Sequence, residues 1–252
     1  ECDVIEEILR MYGYNNVEIP SHVSASLNFA GFPDPNRVKN IISEQLVAQG
    51  FNEIWSNSLT RASLYESMKE YTPERTVKIF NPLSSDLNGM RQTLLFGGLE
   101  CILHNVNRKN NDLKLFEFGN CYFFNGTHYT DDPVGNYAEE EHLALFLSGS
   151  RETPNWATPA TPVSFYLLKS HVENILKRLG MDPCRMAVSD SESELFSLGL
   201  KVETGKNLLV EYGIVSSALL KKEDVDVPVF YADFNWNQLL MENKRNGVKY
   251  SE

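Results

Sequence analysis

Three carboxylates near the start of the chain have a spacing that can bind a metal ion. Asp3, Glu6 and Glu7 fall at positions i, i+3 and i+4 of a helical pattern, so they share one helix face. Clustered carboxylate oxygens are the ligands that Mg²⁺ prefers, usually with waters completing an octahedron. The alternative is a solvated acidic face in which Glu6 pairs with Arg10. The residues alone leave both interpretations open.

Other catalytic motifs are missing from the sequence. It contains no G-x-S-x-G, no P-loop and no H-E-x-x-H. Four of the histidines are not spaced to pair with other catalytic residues, which predicts ordinary surface or hydrogen-bonded side chains. They are His104, His128, His142 and His171. The four cysteines lie far apart without C-x-x-C spacing, which favours free thiols in a reducing cytosol over disulfides or zinc.

The charge balance limits contact with nucleic acid. The chain has 23 basic and 34 acidic residues, a formal net charge of −11, whereas phosphate backbones require clustered Lys and Arg. Any such contact must be local or be made by a partner; the candidates are Arg108, Lys109, Lys244, Arg245 and Lys249. No apolar run is long enough to span a membrane. These features predict a soluble cytoplasmic protein, and the opening at Glu1 without Met indicates a piece of a longer one.

The elements that must position these residues follow from periodicity. Four helices are predicted: the first ends at Gly13, the second follows Pro35 and ends at Gly50, the third follows a capping Thr93, and the fourth spans about 165–179. Strands are predicted at 51–59, 76–80, 113–124 (broken at Gly119), 142–148, 195–202, 208–215 and 229–234, with a helical turn near 219–222. Strands with hairpin-like connections and intervening helices indicate an α+β fold with a mainly antiparallel sheet flanked by helices.

Three stretches of the chain resemble the β subunit of bacterial phenylalanine–tRNA ligases. They are D-V-I-E-E-I-L-R-M-Y-G-Y-N-N-V-E-I-P at 3–20, N-P-L-S-S-D-L-N-G-M-R-Q-T-L-L-F-G-G-L-E at 81–100 and L-K-L-F-E-F-G-N-C-Y-F at 113–123. Their order and separation also match. The resemblance implies the end of a small B5-like domain at 1–20, a linker at 21–33, and a catalytic-like domain with a class II aminoacyl-tRNA synthetase core at 34–252.

The resemblance also implies partners and cofactors. In that family the β subunit pairs with a catalytic α subunit in an (αβ)₂ heterotetramer, which binds ATP on α and charges tRNA with phenylalanine. The D-x-x-E-E at Asp3, Glu6 and Glu7 is implied to join a Mg²⁺ site shared with α. A further acidic ligand is expected upstream of this chain.

The piece itself is expected to be inactive. Class II enzymes meet the charge of the adenylation transition state with fixed arginines. By analogy with the α subunit's G-R-V-Y-R, this chain has 119–123 as G-N-C-Y-F, which places Phe123 where a phosphate-binding arginine is expected. No G-x-G-x-G followed by Arg occurs in the last hundred residues. We therefore expect an inactive copy that scaffolds the α subunit.

Two further sets of residues are singled out. The second helix resembles class II motif 1, so Val38, Ile41, Ile42 and Val47 are expected at a subunit interface, although the stripe formed by the first three fits an internal core equally well. In the second motif, Asn81 and Pro82 fix a turn and Arg91 is placed to pair with Glu117.

Two alternative functions stay open at this point. One is an autonomous class II-like, ATP-dependent ligase with degenerate motifs, which requires the chain itself to bind ATP. The other is an acidic domain that binds an unrelated protein, which predicts no association with an α subunit.

Overall fold

The computed structural model describes residues 1–19, 21–22, 34–126, 133–152, 156–157, 159–205 and 207–245. The chain divides into two compact units, Glu1–Pro33 and Asp34–Glu252. None of the helices in the described ranges combines the length and apolar character needed to cross a membrane.

The first unit contains the predicted opening helix, α1 (Cys2–Tyr12). It ends at Gly13, where φ is 92° and the backbone N–H donates to the Leu9 carbonyl at 2.8 Å. A positive φ costs glycine little, because it has no Cβ. No residue of α1 is buried within this unit, although its sequence is strongly amphipathic. Its apolar side chains, including Ile5 and Ile8, are therefore exposed.

The second unit is built on a seven-stranded sheet. The nine strands of the described residues are β1 (Asn52–Glu53), β2 (Leu59–Thr60), β3 (Gly89–Met90), β4 (Leu113–Phe124), β5 (Tyr137–Ser148), β6 (Ala187–Asp190), β7 (Phe196–Thr204), β8 (Asn207–Val215) and β9 (Val229–Asn235). The large sheet has the order β1-β4-β5-β9-β8-β7-β6, and β2 pairs with β3 separately. Only β1 runs parallel to its neighbour; the other pairs in the large sheet are antiparallel.

Helices cover both faces of the sheet. They are α2 (Pro35–Ala48), α3 (Leu95–Val106), α4 (Phe165–Arg178), α5 (Ser217–Lys222) and α6 (Trp236–Arg245). Helices α2, α4 and α6 pack on one side, here called the first face, against side chains such as Phe116 and Leu145. Helix α3 and Leu220 of α5 pack on the opposite side, the second face, against side chains such as Leu115 and Phe146. The alternation along each strand explains how one sheet supports two cores.

The structure confirms the predicted α+β architecture, and it corrects several local expectations. Of the expected strand at 51–59, only residues 52, 53 and 59 lie in strands, and 76–80 contains a single bridge between Lys78 and Gly89. The expected break at Gly119 is wrong, because β4 runs through it. Strand β6 and helix α6 were not predicted.

Helix α3 packs closely against the sheet at Gly98. A Cβ at this position would lie 2.0–2.5 Å from ring atoms of Phe146, whose side chain is fully buried. We predict that Gly98→Ala destabilises the unit by about 1–3 kcal/mol, because overpacking outweighs the better helix propensity of alanine. Urea unfolding measures this loss.

The matched control is the same substitution in a Phe146→Leu background, where the smaller side chain makes room. There Gly98→Ala is expected to cost clearly less. An equal cost in both backgrounds would show that the contact with Phe146 is not the cause.

Candidate functional site

The position expected to bind phosphate lies inside the core. Gly119, Cys121 and Phe123 of β4 share the second face, and Phe123 is only 6% exposed. The guanidinium carbon of Arg75 lies 4.6 Å from the centroid of the Phe123 ring. Arg75 comes from a short turn at Pro73–Arg75 and is itself exposed. The strand position therefore carries an apolar ring, and the nearby cation contacts that ring from outside the sheet.

The ion pair expected between Arg91 and Glu117 is present and buried. Arg91 Nη1 donates to Glu117 Oε1 at 2.8 Å, and the two side chains are 6% and 0% exposed. Ser56 completes the network: its hydroxyl donates to Glu117 Oε2 at 2.7 Å and accepts from Arg91 Nη1 at 2.8 Å. Arg91 Nε donates to the Asn120 carbonyl at 2.8 Å. The network joins β4 to the segment between β1 and β2.

This network explains why residue 119 is glycine. A Cβ at Gly119 would lie 2.4 Å from Arg91 Nη2 and 2.8 Å from Leu94 Cδ2. The guanidinium lies across the strand at this point, so any side chain on residue 119 would displace it. The sequence signal was the glycine itself, which was taken for a strand break instead of a close approach.

A polar cleft of roughly 500 Å³ opens beside the network. Its lining includes Asn57, Thr60, Arg61, Arg91, Thr93 and Glu100. Its two arginines are already paired, Arg91 with Glu117 and Arg61 with Glu223 at 3.0 Å. The guanidinium groups are thus held by carboxylates, and the cleft does not present a free pair of cations to a phosphate chain.

Asn81 and Pro82 lie in an exposed loop next to this region. The residues on either side are almost fully exposed, Phe80 at 95% and Leu83 at 97%. The loop around the Asn-Pro pair therefore exposes the apolar side chains of Phe80 and Leu83.

The carboxylates of α1 do not form a complete metal site on their own. Asp3, Glu6 and Glu7 are all exposed, and Arg10 Nη1 donates to both oxygens of Glu7 at 2.9 and 3.2 Å. The solvated-face alternative expected Arg10 to pair with Glu6. In the structure Arg10 pairs with Glu7 instead. Within the described ranges, no group of three or more His, Cys, Asp or Glu side chains is arranged to hold a metal ion.

Helix α2 separates the residues expected at an interface into two groups. Val38 and Ile42 are buried in the core on the first face of the sheet, so their expected role at an interface is corrected. They lie on the stripe of α2 that packs against the chain's own sheet. Ile41 is half-buried, and Val47, on the other flank, is 57% exposed. Among these residues Val47 is the one most available to a partner.

His104, His142 and His171 are surface or hydrogen-bonded side chains, as expected, and one of them, His142, has a strongly raised pKa. His104 is exposed, and His171 Nδ1 lies 2.7 Å from Gln49 Oε1; burial, reinforced by Lys114, lowers the pKa of His171 to about 4. His142 Nδ1 lies 2.7 Å from Asp233 Oδ1 on the next strand. Burial lowers the pKa of His142, but Asp233 and Glu140 outweigh it and raise the pKa to about 10. His128 is outside the described residues.

Sequence reasoning missed this carboxylate–histidine cluster because its members come from different strands. Only the register of β5 against β9 brings His142 and Asp233 together.

Among the basic candidates, Arg108 is exposed and donates to the His104 carbonyl at 2.9 Å, and Lys109 is exposed. Lys249 and the side chains of Lys244 and Arg245 are outside the described part of the chain.

The buried pair makes a prediction for stability. Arg91→Met is expected to cost about 3–5 kcal/mol of unfolding free energy, because it leaves the fully buried Glu117 charge without its partner. The double variant Arg91→Met/Glu117→Leu should lose less than the sum of the two single variants. Urea unfolding of the three variants measures the coupling; additive losses would contradict the assignment of a buried pair.

Comparison with known proteins places the chain in a family. Residues 19–236 match the family model described as the phenylalanyl tRNA synthetase beta chain CLM domain. Among curated proteins, the phenylalanine–tRNA ligase β subunit of Bacteroides thetaiotaomicron is 49% identical over 255 aligned residues, covering 100% of this chain and 31% of that protein. The β subunit of Porphyromonas gingivalis is 43% identical, covering 97% of this chain and 30% of that protein. The chain thus spans about a third of the length of these relatives.

A solved structure supports the fold independently of sequence. The crystal structure of pyrrolysyl-tRNA synthetase from Desulfitobacterium hafniense matches with a TM-score of 0.63 at 16% identity, covering 86% of this chain and 72% of that one. This likeness shows the class II synthetase fold that the second unit adopts. The family match across residues 19–236 shows that the chain belongs to the CLM-domain family of phenylalanyl-tRNA synthetase β chains.

Proposed function

We propose that this chain is the non-catalytic, class II-like part of a phenylalanine–tRNA ligase β subunit. In this role it scaffolds the catalytic α subunit, which charges tRNA with phenylalanine using ATP. The observation that carries the proposal is the burial of Phe123 at the strand position where a class II enzyme needs a cation. Negative charge on a transferring phosphoryl group requires fixed donors or cations. A buried phenyl ring supplies neither.

The neighbouring arginines do not replace the missing cation. Arg91 is bound by Glu117 and Ser56, and the Arg75 guanidinium lies against the Phe123 ring. An arginine already paired with a buried carboxylate has little net charge to offer a phosphate. ATP therefore belongs to the α subunit in this proposal, and the β chain contributes a folded surface.

Magnesium also belongs to the complex. The three carboxylates of α1 are exposed, and Arg10 already binds one of them, so the chain alone lacks the ligands for a closed site. Mg²⁺ usually binds through one or two carboxylates and retains several waters. Asp3 and Glu6 are the carboxylates best placed to share the ion with ligands from outside this chain.

The exposed flank of α2 is the surface we assign to the α subunit. Val38, Ile42 and Leu46 fix the helix on the sheet, while Val47 lies on the opposite flank and is 57% exposed. Val47 is the large apolar side chain left exposed on this flank, and exposed apolar surface that belongs to a patch marks a protein–protein interaction site. In an (αβ)₂ heterotetramer of the cytoplasm, this flank would be buried, and tRNA would be bound by the complex as a whole.

The first prediction concerns catalysis. The isolated chain should form no phenylalanyl-adenylate, because no free cation stands at the phosphate position. Phenylalanine-dependent ATP–pyrophosphate exchange measures this reaction, with a complete α/β enzyme as the positive control. Exchange above the blank without enzyme would contradict the proposal and favour an autonomous ligase.

The second prediction concerns docking. Val47→Glu should abolish association with a matching α subunit while shifting the melting temperature of the chain by no more than about 1–2 °C, because an exposed flank tolerates a charge when no partner covers it. Co-purification with tagged α subunit and thermal unfolding measure the two effects.

The matched control is Leu198→Glu, which places the same charge on a similarly exposed apolar residue (55%) of β7. This variant should bind the α subunit normally. If Val47→Glu folds and still binds like the control, α2 is not the docking surface. If it unfolds the chain, the residue belongs to the core.

A further inference from the structure

Residues 66–76 form a strap over the second face of the sheet. The strap begins after the turn Ala62–Tyr65 and includes the turn Pro73–Arg75. Most of its side chains are exposed or half-buried, but Met68 and Tyr71 pack against the apolar cluster on the second face. No strand pairing joins the strap to the large sheet in the described residues. It is therefore held against the sheet by side chains and not by strand pairing.

Polar side chains line the sheet beneath the strap. Asp233, Glu211 and Lys201 are directly paired across β9, β8 and β7, so they form one row on the second face. Cys121 and Tyr231 lie on the same face and are fully buried. A class of small molecule with both an aromatic ring and a polar end would match this combination of apolar walls and polar floor.

Tyr71 is the half-buried tyrosine by which the strap packs on the second face. Burial is the main reason that the pKa of Tyr71 is well above its usual value, and the nearby charges of Asp233 and Glu70, with Cys121 and Glu211, raise it further. Tyr71 packs against the same cluster as Cys121 and Tyr231, which places its side chain on the second face. Its raised pKa keeps the phenol neutral beside Asp233 and Glu70.

A few hydrogen bonds fasten the strap. Glu194 Oε1 accepts from the backbone N–H groups of Lys69 at 2.5 Å and Glu70 at 3.0 Å. At the other end, Gln92 Nε2 donates to the Thr72 carbonyl at 2.9 Å and to Thr76 Oγ1 at 2.8 Å. Beside the Glu194 end, a cleft of roughly 530 Å³, whose lining includes Glu70, Glu194 and Glu211, leads from solvent to the row of polar side chains.

We propose that the strap is a plug, in which the Tyr71 side chain occupies a pocket that is complementary to a small neutral phenol. In the folded chain the pocket is filled from within, and releasing the strap at Glu194 opens it from the side of the cleft. The proposal rests on the packing of the second face alone and does not depend on the proposed function.

The first test replaces the internal occupant by an external one. Tyr71→Ala should create a pocket that binds p-cresol, which is the tyrosine side chain as a free molecule. At about 100 times its dissociation constant, p-cresol should raise the melting temperature of the variant by roughly 5 °C. The native chain should show no such rise. A shift no larger in Tyr71→Ala than in the native chain overturns the proposal.

The control for general effects of phenols is Tyr166→Ala, which removes a tyrosine that is 80% exposed on α4. Its melting temperature should respond to p-cresol as the native chain does. A rise equal to that of Tyr71→Ala would show that the phenol acts elsewhere, and this too overturns the proposal.

A second measurement tests the strap even where Tyr71→Ala does not fold. Cys121 is buried on the second face. When Cys2, Cys101 and Cys184 are replaced by serine, a thiol reagent can label only Cys121. In that background Glu194→Ala should speed labelling of Cys121 at least about tenfold at one fixed pH, because a 1.4 kcal/mol cheaper opening raises the open population tenfold.

The matched control is Glu192→Ala, an exposed glutamate two residues from Glu194 that also lines the cleft. It should leave the labelling rate within about twofold of the background. Equal rates in the Glu194→Ala and Glu192→Ala variants would show that Glu194 does not hold a movable strap, and the proposal would fail.

Discussion

The buried ion pair between Arg91 and Glu117 is the constraint on which one side of this fold depends. Two opposite charges withdrawn from water are tolerable only when their remaining hydrogen-bonding groups are satisfied. Ser56 and the Asn120 carbonyl provide those bonds, and Gly119 leaves room for the guanidinium. The segment between β1 and β2 must therefore lie against β4. The polar cleft and the loop with Asn81 and Pro82 are positioned around this arrangement.

The two faces of the sheet have different physical characters. The first face is apolar and covered by three helices, and its buried side chains form the larger of the two main hydrophobic clusters. The second face is covered by α3, α5 and the strap, and it retains a row of charged side chains in the middle of the sheet. At Phe123 this face carries a phenyl ring in an apolar environment, where an arginine would carry a large desolvation cost. The fold is thus kept, while the position where a phosphate-binding arginine was expected carries a buried phenyl ring.

The elements predicted correctly from the sequence were those with a local signal. Helices α1, α2 and α4 combine a 3.6-residue period with a glycine stop at Gly13, Gly50 and Gly180, and each glycine has a positive φ. The Arg91–Glu117 pair was predicted from the second motif and from the neighbouring predicted strand that carries Glu117. By contrast, local pattern could not separate Val38 and Ile42, which face the core, from residues available to a partner. It also could not show cross-strand register, which creates the His142–Asp233 contact. Residues 76–80 alternate like a strand, yet only Lys78 finds a bridging partner.

We propose that this class II-like sheet cannot hold a nucleotide by itself. Titration of the isolated chain with ATP and Mg²⁺ in a calorimeter tests it directly, since binding precedes any chemistry and needs no partner. We predict no saturable heat up to millimolar ATP, because Phe123 occupies the phosphate position and the arginines near it are paired or stacked. Saturable binding of one ATP per chain, weakened by Arg91→Met or by Arg75→Ala, would contradict the account.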